Sequence, residues 1–390
     1  MADEQQDPFI IFGAPDIRED EVAEVRDVLQ SGWLGTGPRV AKFESDFANY
    51  KGVDGSQVAA VNSCTAGLHV SMIAAGLSPG DEVLTTAMTF CATANAIIHA
   101  GATPVPVDID PVSQNIDVDL IRERITERTR AIVPVHFAGR PCDMYAILAI
   151  AKEHELVVIE DCAHAIETQW KGQTAGTFGE FGCFSFYVTK NITTGEGGMV
   201  LAKSEADIER IKVLALHGMT KDAWHRFGDA GYKHYQVVEA GFKYNMMDLQ
   251  AALGIHQLQR IEASWLRREE IWNRYRESLA KIPVVLPADP EVGTRHAYHL
   301  YTIRIDPSEA GLGRDEFIAA MSRSGVGVGV HYLSLASHPH YQERFGWRPE
   351  DHPVAYAFGE TTVSLPLSSK LTDDEIAYIV DITRSLVGER

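Results

Sequence analysis

The 390-residue chain is short of several things, and each shortage excludes a class of protein. Its five cysteines, Cys64, Cys91, Cys142, Cys162 and Cys183, stand far apart, form no Cys-x-x-Cys pair and are odd in number. That fits a reducing compartment better than a disulfide framework. No apolar run approaches the ~20 residues that a membrane-spanning helix requires. Positive charge is scarce, with 35 Lys and Arg against 54 Asp and Glu, a net charge of -19. Such a balance argues against a general nucleic-acid binder, although it leaves local anion sites open. Internal repeats and low-complexity stretches are also missing. His331, His338 and His340 lack a tight metal-ligand spacing, so no metal is expected. Asn191-Ile192-Thr193 matches a glycosylation sequon, which is irrelevant in a cytoplasmic chain. The polar, acidic start from Met1 to Pro8 is unlike a signal or transit peptide. The expectation is a soluble, cytoplasmic protein with no nucleic-acid or membrane partner.

What is present is an alternating pattern. An apolar share of 45% is ample for a sizeable core. Helices are predicted near Glu19–Gln30 and Val40–Tyr50, around a Gly-rich link from Ser31 to Pro38. Strands and helices then alternate. Strands are expected at Val58–Val61, Glu82–Thr85, Thr103–Val107, Ala131–Val135 and Leu156–Glu160. The intervening helices are expected at Thr65–Ala75, Cys91–His99, Val118–Arg124 and Met144–His154. This rhythm predicts a mostly parallel sheet with helices on both faces, whose ligands gather at the carboxyl ends of the strands. One long helix is expected from about Asp248 to Ala280. Its stripe of Leu258, Trp265, Trp272 and Leu279, with Ile261 and Tyr275 between, reads as core packing. Strands are expected again at His299–Ile305, Gly325–His331 and Thr362–Leu365. Thr372-Asp373-Asp374-Glu375 has capping-box spacing and predicts the start of the last helix.

Lys190 is the most informative residue. It follows the apolar run Gly182–Val188 and precedes the Gly-rich stretch from Gly195 to Gly198. A lysine held away from water loses part of its preference for the charged form and can attack a carbonyl to form a Schiff base. Asp161 ends a predicted buried strand, where it either holds a proton on a pyridine-type nitrogen or caps a following helix. The separation of 29 positions from Lys190 suffices to return along an adjacent strand to the same cleft. Asn62-Ser63-Cys64-Thr65-Ala66-Gly67 joins a strand to a helix and is either an anion cradle or an ordinary capped turn. It lacks the Gly-Lys-Ser/Thr ending of a nucleotide-binding loop. Ser185, alternating with Phe184 and Phe186, is placed to point a hydroxyl at the same anion. Phe90, just past a strand end, is either a stacking surface for a planar cofactor or core filler. His164, three residues after Asp161, is placed to face the same pocket from a helix start.

Together these residues resemble the DegT/StrS-type sugar aminotransferases of the fold-type-I pyridoxal-phosphate class. The resemblance runs from Ser31–Pro38 through Glu160-Asp161-Cys162-Ala163-His164-Ala165 and Phe184-Ser185-Phe186 with Lys190. It continues through Gly241-Phe242-Lys243-Tyr244-Asn245-Met246 to Gly327–Tyr332. It implies an α/β fold, with a large pyridoxal-phosphate-binding domain over 13–250 built on a mostly parallel seven-stranded sheet. A smaller α/β domain over 251–390 follows, joined through the long helix. It implies that Lys190 holds the cofactor as a Schiff base and then shuttles the proton between the cofactor C4′ and the sugar carbon. Asp161 would pair with the pyridine nitrogen, His164 would stand near the phenolic oxygen, and Phe90 would cover the ring. Thr65, Ala66 and Ser185 would hold the phosphate. Lys243 would stand where many members carry an Asn that reaches the phosphate of the neighbouring subunit's cofactor, so the dimer would share its active sites. Lys-Tyr-Asn replaces the commoner Asn-Tyr-Arg here, a variant most like enzymes that aminate 4-keto sugars such as UDP-4-keto-pentose. The implied reaction moves an amino group from an amino acid, glutamate being favoured, to C4 of a nucleotide-linked keto sugar. Amination at C3 or of a cyclitol ketone, a sugar dehydratase, and a non-catalytic regulatory protein are the alternatives. The dehydratase branch carries His in place of the Schiff-base lysine, so Lys190 counts against it. Around Lys221, His225 and Arg226, a loop is open to two readings, contact with a diphosphate or solvated charge.

Overall fold

The structure, a computed structural model, describes residues 9–220 and 234–388. The loop with Lys221, His225 and Arg226 lies outside the described residues.

A seven-stranded sheet dominates, in the order Val58–Val61, Gly198–Ala202, Phe181–Ser185, Val157–Asp161, Thr129–Val133, Glu82–Thr86, Thr103–Val107. Only Gly198–Ala202 runs against the rest; it pairs antiparallel with both of its neighbours. Three of the inner strands are buried at every position, because helices cover both faces. Thr103–Val107 carries Pro104 and Pro106, which cannot donate to a ladder, and it lies at the sheet edge where that is tolerated. Val157–Asp161 and Phe181–Ser185 pair in parallel, with Asp161 opposite Cys183. The expected return along an adjacent strand is therefore observed. Helix Cys64–Ala74 lies close against the sheet: a Cβ on Gly67 would stand 3.0 Å from Val200 Cγ2.

A second core forms toward the C-terminus. Tyr301–Arg304 pairs antiparallel with Thr362–Leu365, and both pack among helices Ile261–Leu279, Arg314–Arg323 and Asp373–Val387. Tyr275, Tyr301, Phe317, Met321 and Ile376 fill this core, and Ile10 joins it from the start of the chain. Thr372 caps the last helix as expected, its Oγ1 accepting from Glu375 N at 3.2 Å.

Two expectations change. The single helix over 248–280 is two helices, Asp248–Gln259 and Ile261–Leu279, meeting at Arg260 with φ -107 and ψ 11. Arg260 donates to the carbonyl of Asp16 at 2.6 Å and pairs with Glu21, which anchors the bend. The first helix thereby lies on the helices Glu19–Ser31 and Pro38–Lys51, and the second enters the C-terminal core. The stripe behaves as core, since Leu258, Ile261, Trp272, Tyr275 and Leu279 are buried and Trp265, half-buried, packs against the cluster that holds the last three. Gly325–His331 is not a strand. It makes single bridges, Val326 to Ile10 and Gly329 to Ser364. Glycines at 325, 327 and 329 remove the side chains that would pack a strand face. Among the described residues no helix is long and apolar enough to cross a membrane.

Candidate active site

A cavity of about 480 Å³ opens at the carboxyl ends of the parallel strands, where open α/β sheets place their ligands. Asp161 forms part of its wall and is 4% exposed. No helix follows it, so the capping reading is set aside. Oδ1 accepts instead from Ala163 N at 3.1 Å in a turn, and Oδ2 from Thr93 Oγ1 at 2.8 Å. Burial pushes the Asp161 carboxyl pKa up, against those two bonds and the field of Lys190. A buried carboxylate with one face on a cavity is set up to receive a cation or an acidic N–H.

Lys190 lines the same cavity. The chain leaves strand Phe181–Ser185 and turns, Lys190 N donating to Tyr187 O at 2.9 Å. Burial lowers the Lys190 pKa to about 8, with the neighbouring Cys64 and Asp161 acting in the opposite sense. At pH 7 roughly a tenth of the amine is then neutral, where an ordinary lysine near 10.4 keeps well under a thousandth. The rate of aldehyde capture by the cofactor-free protein should accordingly rise about tenfold per pH unit up to about 8 and then level off. Stopped-flow absorbance with pyridoxal phosphate measures this; a rise that continues unbroken to pH 10 would show an ordinary amine.

Helix Cys64–Ala74 begins at the cavity. Ser63 caps it, its Oγ accepting from Ala66 N at 3.1 Å. Thr65 lines the cavity, whereas Ala66 is buried behind it with its N–H taken by that cap. Gly198 lets the neighbouring strand pass close by, because a Cβ there would fall 2.6 Å from the Ser63 carbonyl carbon. Ser185 is buried at the end of its strand and also lines the cavity. The helix N-terminus, Thr65 and Ser185 thus form a concave, anion-favouring corner. Phe90 is 57% exposed at the cavity rim, 5.9 Å from the ring of Tyr332, so it is not core filler.

His164 stands beside Asp161 on a turn rather than at a helix start. Its Nδ1 accepts from Ala138 N at 3.2 Å, and its Nε2 lies 3.1 Å from Tyr332 OH. Burial first, then the charge of Lys190, hold its pKa well below the ordinary histidine value. The ring is therefore neutral with its proton on Nε2. Lys243 is not brought to this cavity. Its side chain is exposed, and its carbonyl accepts from Asn62 Nδ2 at 3.2 Å.

Several lining residues carry no sequence signal of a role, although His331 and Tyr332 end the Gly327–Tyr332 stretch of the resemblance. Thr93 holds Asp161, Tyr332 meets His164, and the His299 ring lies tilted against His164 with centroids 4.4 Å apart. His331 lines the cavity too, with Nδ1 2.8 Å from Ser364 Oγ. Elsewhere, buried His136, Glu160 and Cys162 lie together. Glu160 already accepts from His136 Nε2 and from the N–H groups of Gly176, Phe178 and Gly179, so that cluster is a hydrogen-bonded one.

Residues 15–384 match the DegT/DnrJ/EryC1/StrS aminotransferase family, and the chain belongs to that family. It is 44% identical over 385 residues to the spore coat polysaccharide biosynthesis protein SpsC of Bacillus subtilis, covering 98% of each chain. Spr1654 of Streptococcus pneumoniae, a candidate sugar aminotransferase solved in its PMP form, superposes with a TM-score of 0.90 at 34% identity, covering 97% of this chain and 98% of its own. The aminotransferase TlmJ of Streptoalloteichus hindustanus superposes with a TM-score of 0.88, also at 34% identity and with the same coverage. The protein is a pyridoxal-phosphate-dependent aminotransferase of a family of sugar aminotransferases, on the fold-type-I architecture. Its cavity fits that cofactor: a buried carboxylate suits a protonated ring nitrogen, a lysine of lowered pKa suits an aldehyde, and the Gly198-dependent corner suits a phosphate.

Proposed function

We propose that this protein moves an amino group from glutamate to C4 of a nucleotide-linked keto sugar. The observation that carries this reading is the placing of Lys190 and the Thr93-bound Asp161 on one cavity. When bound, pyridoxal phosphate supplies an aldehyde that captures amines and a ring that spreads negative charge. The residues divide the remaining work. With the cofactor bound, Lys190 would hold its aldehyde and carry the proton to and from the substrate carbon. Asp161 would keep a proton on the ring nitrogen, and His164 would be the partner for the phenolic oxygen. Phe90 would cover the ring, and Thr65, Ser185 and the start of helix Cys64–Ala74 would hold the phosphate, with Ala66 supporting that start while its own N–H is bound by Ser63. Likeness to SpsC, whose name gives spore coat polysaccharide biosynthesis, supports a sugar nucleotide as acceptor. The Lys243-Tyr244-Asn245 variant supports C4. Five free thiols support a reducing, cytoplasmic setting.

Incubating the enzyme with glutamate and a panel of UDP- and dTDP-linked 3-keto and 4-keto sugars tests the reaction. The expected product carries nitrogen at C4 by NMR. Amination at C3, or of a cyclitol ketone only, would overturn the assignment.

The active unit is proposed to be a homodimer in which Lys243 reaches the partner's cofactor phosphate. Its exposed position, away from its own cavity, supports this arrangement. Mixing Lys190→Ala with Lys243→Ala subunits should then regenerate up to about a quarter of the native sites in a random mixture. Absence of recovery in verified mixed dimers would show that each site is built from one chain.

A further inference from the structure

A chain of hydrogen-bonded polar groups runs from helix Ile261–Leu279 into the cavity and ends on a residue that the reaction has not yet used. Arg268, buried on helix Ile261–Leu279, pairs with the buried carboxylate of Glu167. The second oxygen of Glu167 accepts from Asn191 Nδ2 at 2.8 Å, and the carbonyl of Ala297 accepts from the same nitrogen at 3.0 Å. Two acceptors at one end of the Asn191 side chain require that end to be the NH₂ group. The other end, Oδ1, faces His299 Nδ1 at 2.9 Å and can only accept. The proton of His299 therefore sits on Nδ1. Its imidazole is neutral: burial holds its pKa well below the ordinary value, and the charge of Lys190 adds to that. Nε2 is then an unprotonated lone pair. It has no hydrogen-bond partner among the described residues, and His299 lines the cavity beside Lys190 and His164.

We infer that Asn191 holds His299 in its Nδ1–H form so that Nε2 accepts a hydrogen bond from a hydroxyl of the keto substrate. The chemistry selects between the two substrates. A lone pair gains nothing from the carboxylates of an amino-acid donor, which are themselves acceptors. The hydroxyl groups beside a sugar ketone are donors, and a buried acceptor left unpaired is costly. His299 is thus a specificity residue for the sugar half of the cycle, and Asn191 is a positioning residue that acts through it. The inference rests on the sugar-ketone reading of the acceptor.

The test uses the intact holoenzyme. His299→Asn retains an N–H close to the Nδ1 position, which keeps the bond to Asn191, and it removes the acceptor facing the cavity. Single-turnover kinetics should show the half-reaction with the keto sugar slowed on the order of 10- to 100-fold. The half-reaction with glutamate should stay within about twofold. Equal slowing of both halves would overturn the proposal, because it would place His299 on the cofactor or on Lys190. A keto sugar lacking the neighbouring hydroxyl should lose a similar factor with the native enzyme and nothing more with His299→Asn; independent losses would also overturn it. Independently of any turnover, ¹⁵N-histidine NMR of the native protein should show His299 Nε2 unprotonated at neutral pH. The resonance is identified by its absence from His299→Asn. In Asn191→Ala the signal should shift toward tautomer averaging, and a protonated Nε2 in the native protein would sink the idea. If the native enzyme turns over no keto sugar, the substrate reading fails, while the tautomer result stands or falls by itself.

Discussion

Lys190→Ala should abolish transamination, with kcat/KM falling by on the order of 10⁴ or more. Two contributions are lost together. Proton transfer by a positioned base is worth about 10²–10⁴ by itself, and the lysine also activates the cofactor toward the incoming amine. The fold should not suffer. Lys190 makes no ion pair among the described residues, and its removal relieves the burial that lowers its pKa to about 8. The variant should therefore keep its melting temperature and still take up pyridoxal phosphate through the corner at Thr65 and Ser185. Mass spectrometry after borohydride reduction gives the decisive contrast. The native protein should carry the reduced cofactor on Lys190, and the variant should carry none. Cofactor fixed to another lysine, or turnover retained in Lys190→Ala, would remove Lys190 from the centre of the reaction.

The parallel sheet was legible in the sequence because its strands are short, apolar and separated by turn residues, a pattern that local physics fixes. Thr103–Val107 and Cys91–His99 have the bounds read from the sequence. The site was legible where a residue ends a strand or opens a helix: Asp161, Ser185, Thr65 and Phe90 all stand at such junctions and reach the cavity. The less legible features depend on contacts distant in sequence. Arg260 breaks the 248–280 helix through Asp16 and Glu21, some 240 residues earlier, and nothing local marks that bend. Gly325–His331 has apolar residues at alternate positions, yet its glycines leave it bridged at single points. His299 read as the start of a strand. Its role emerges only once Asn191, Glu167 and Arg268, from three other parts of the chain, converge on it. The helix start expected at His164 is a turn for a related reason. Thr93 and Ala163 satisfy the carboxylate that would otherwise cap a helix.

Asp161→Asn should reduce both half-reactions alike, by on the order of 10²–10³, the usual cost of removing one preorganised electrostatic partner. The substitution is nearly isosteric, so an amide oxygen can still accept from Thr93 or from Ala163, and stability should change little. What is lost is the negative charge facing the ring nitrogen. In the cofactor-free protein burial raises the Asp161 pKa, and a ring proton offsets that penalty when the cofactor binds. Asparagine cannot reciprocate: without the carboxylate the ring nitrogen gives up its proton more readily, and the ring withdraws electrons less well. Charge spreading is needed whichever substrate is bound, so glutamate and keto sugar should slow by similar factors. That symmetry separates Asp161 from His299, whose loss should weigh on the sugar half alone. Single-turnover absorbance with each substrate in turn measures both ratios. A slowing confined to one half-reaction would place Asp161 against a substrate rather than against the cofactor ring.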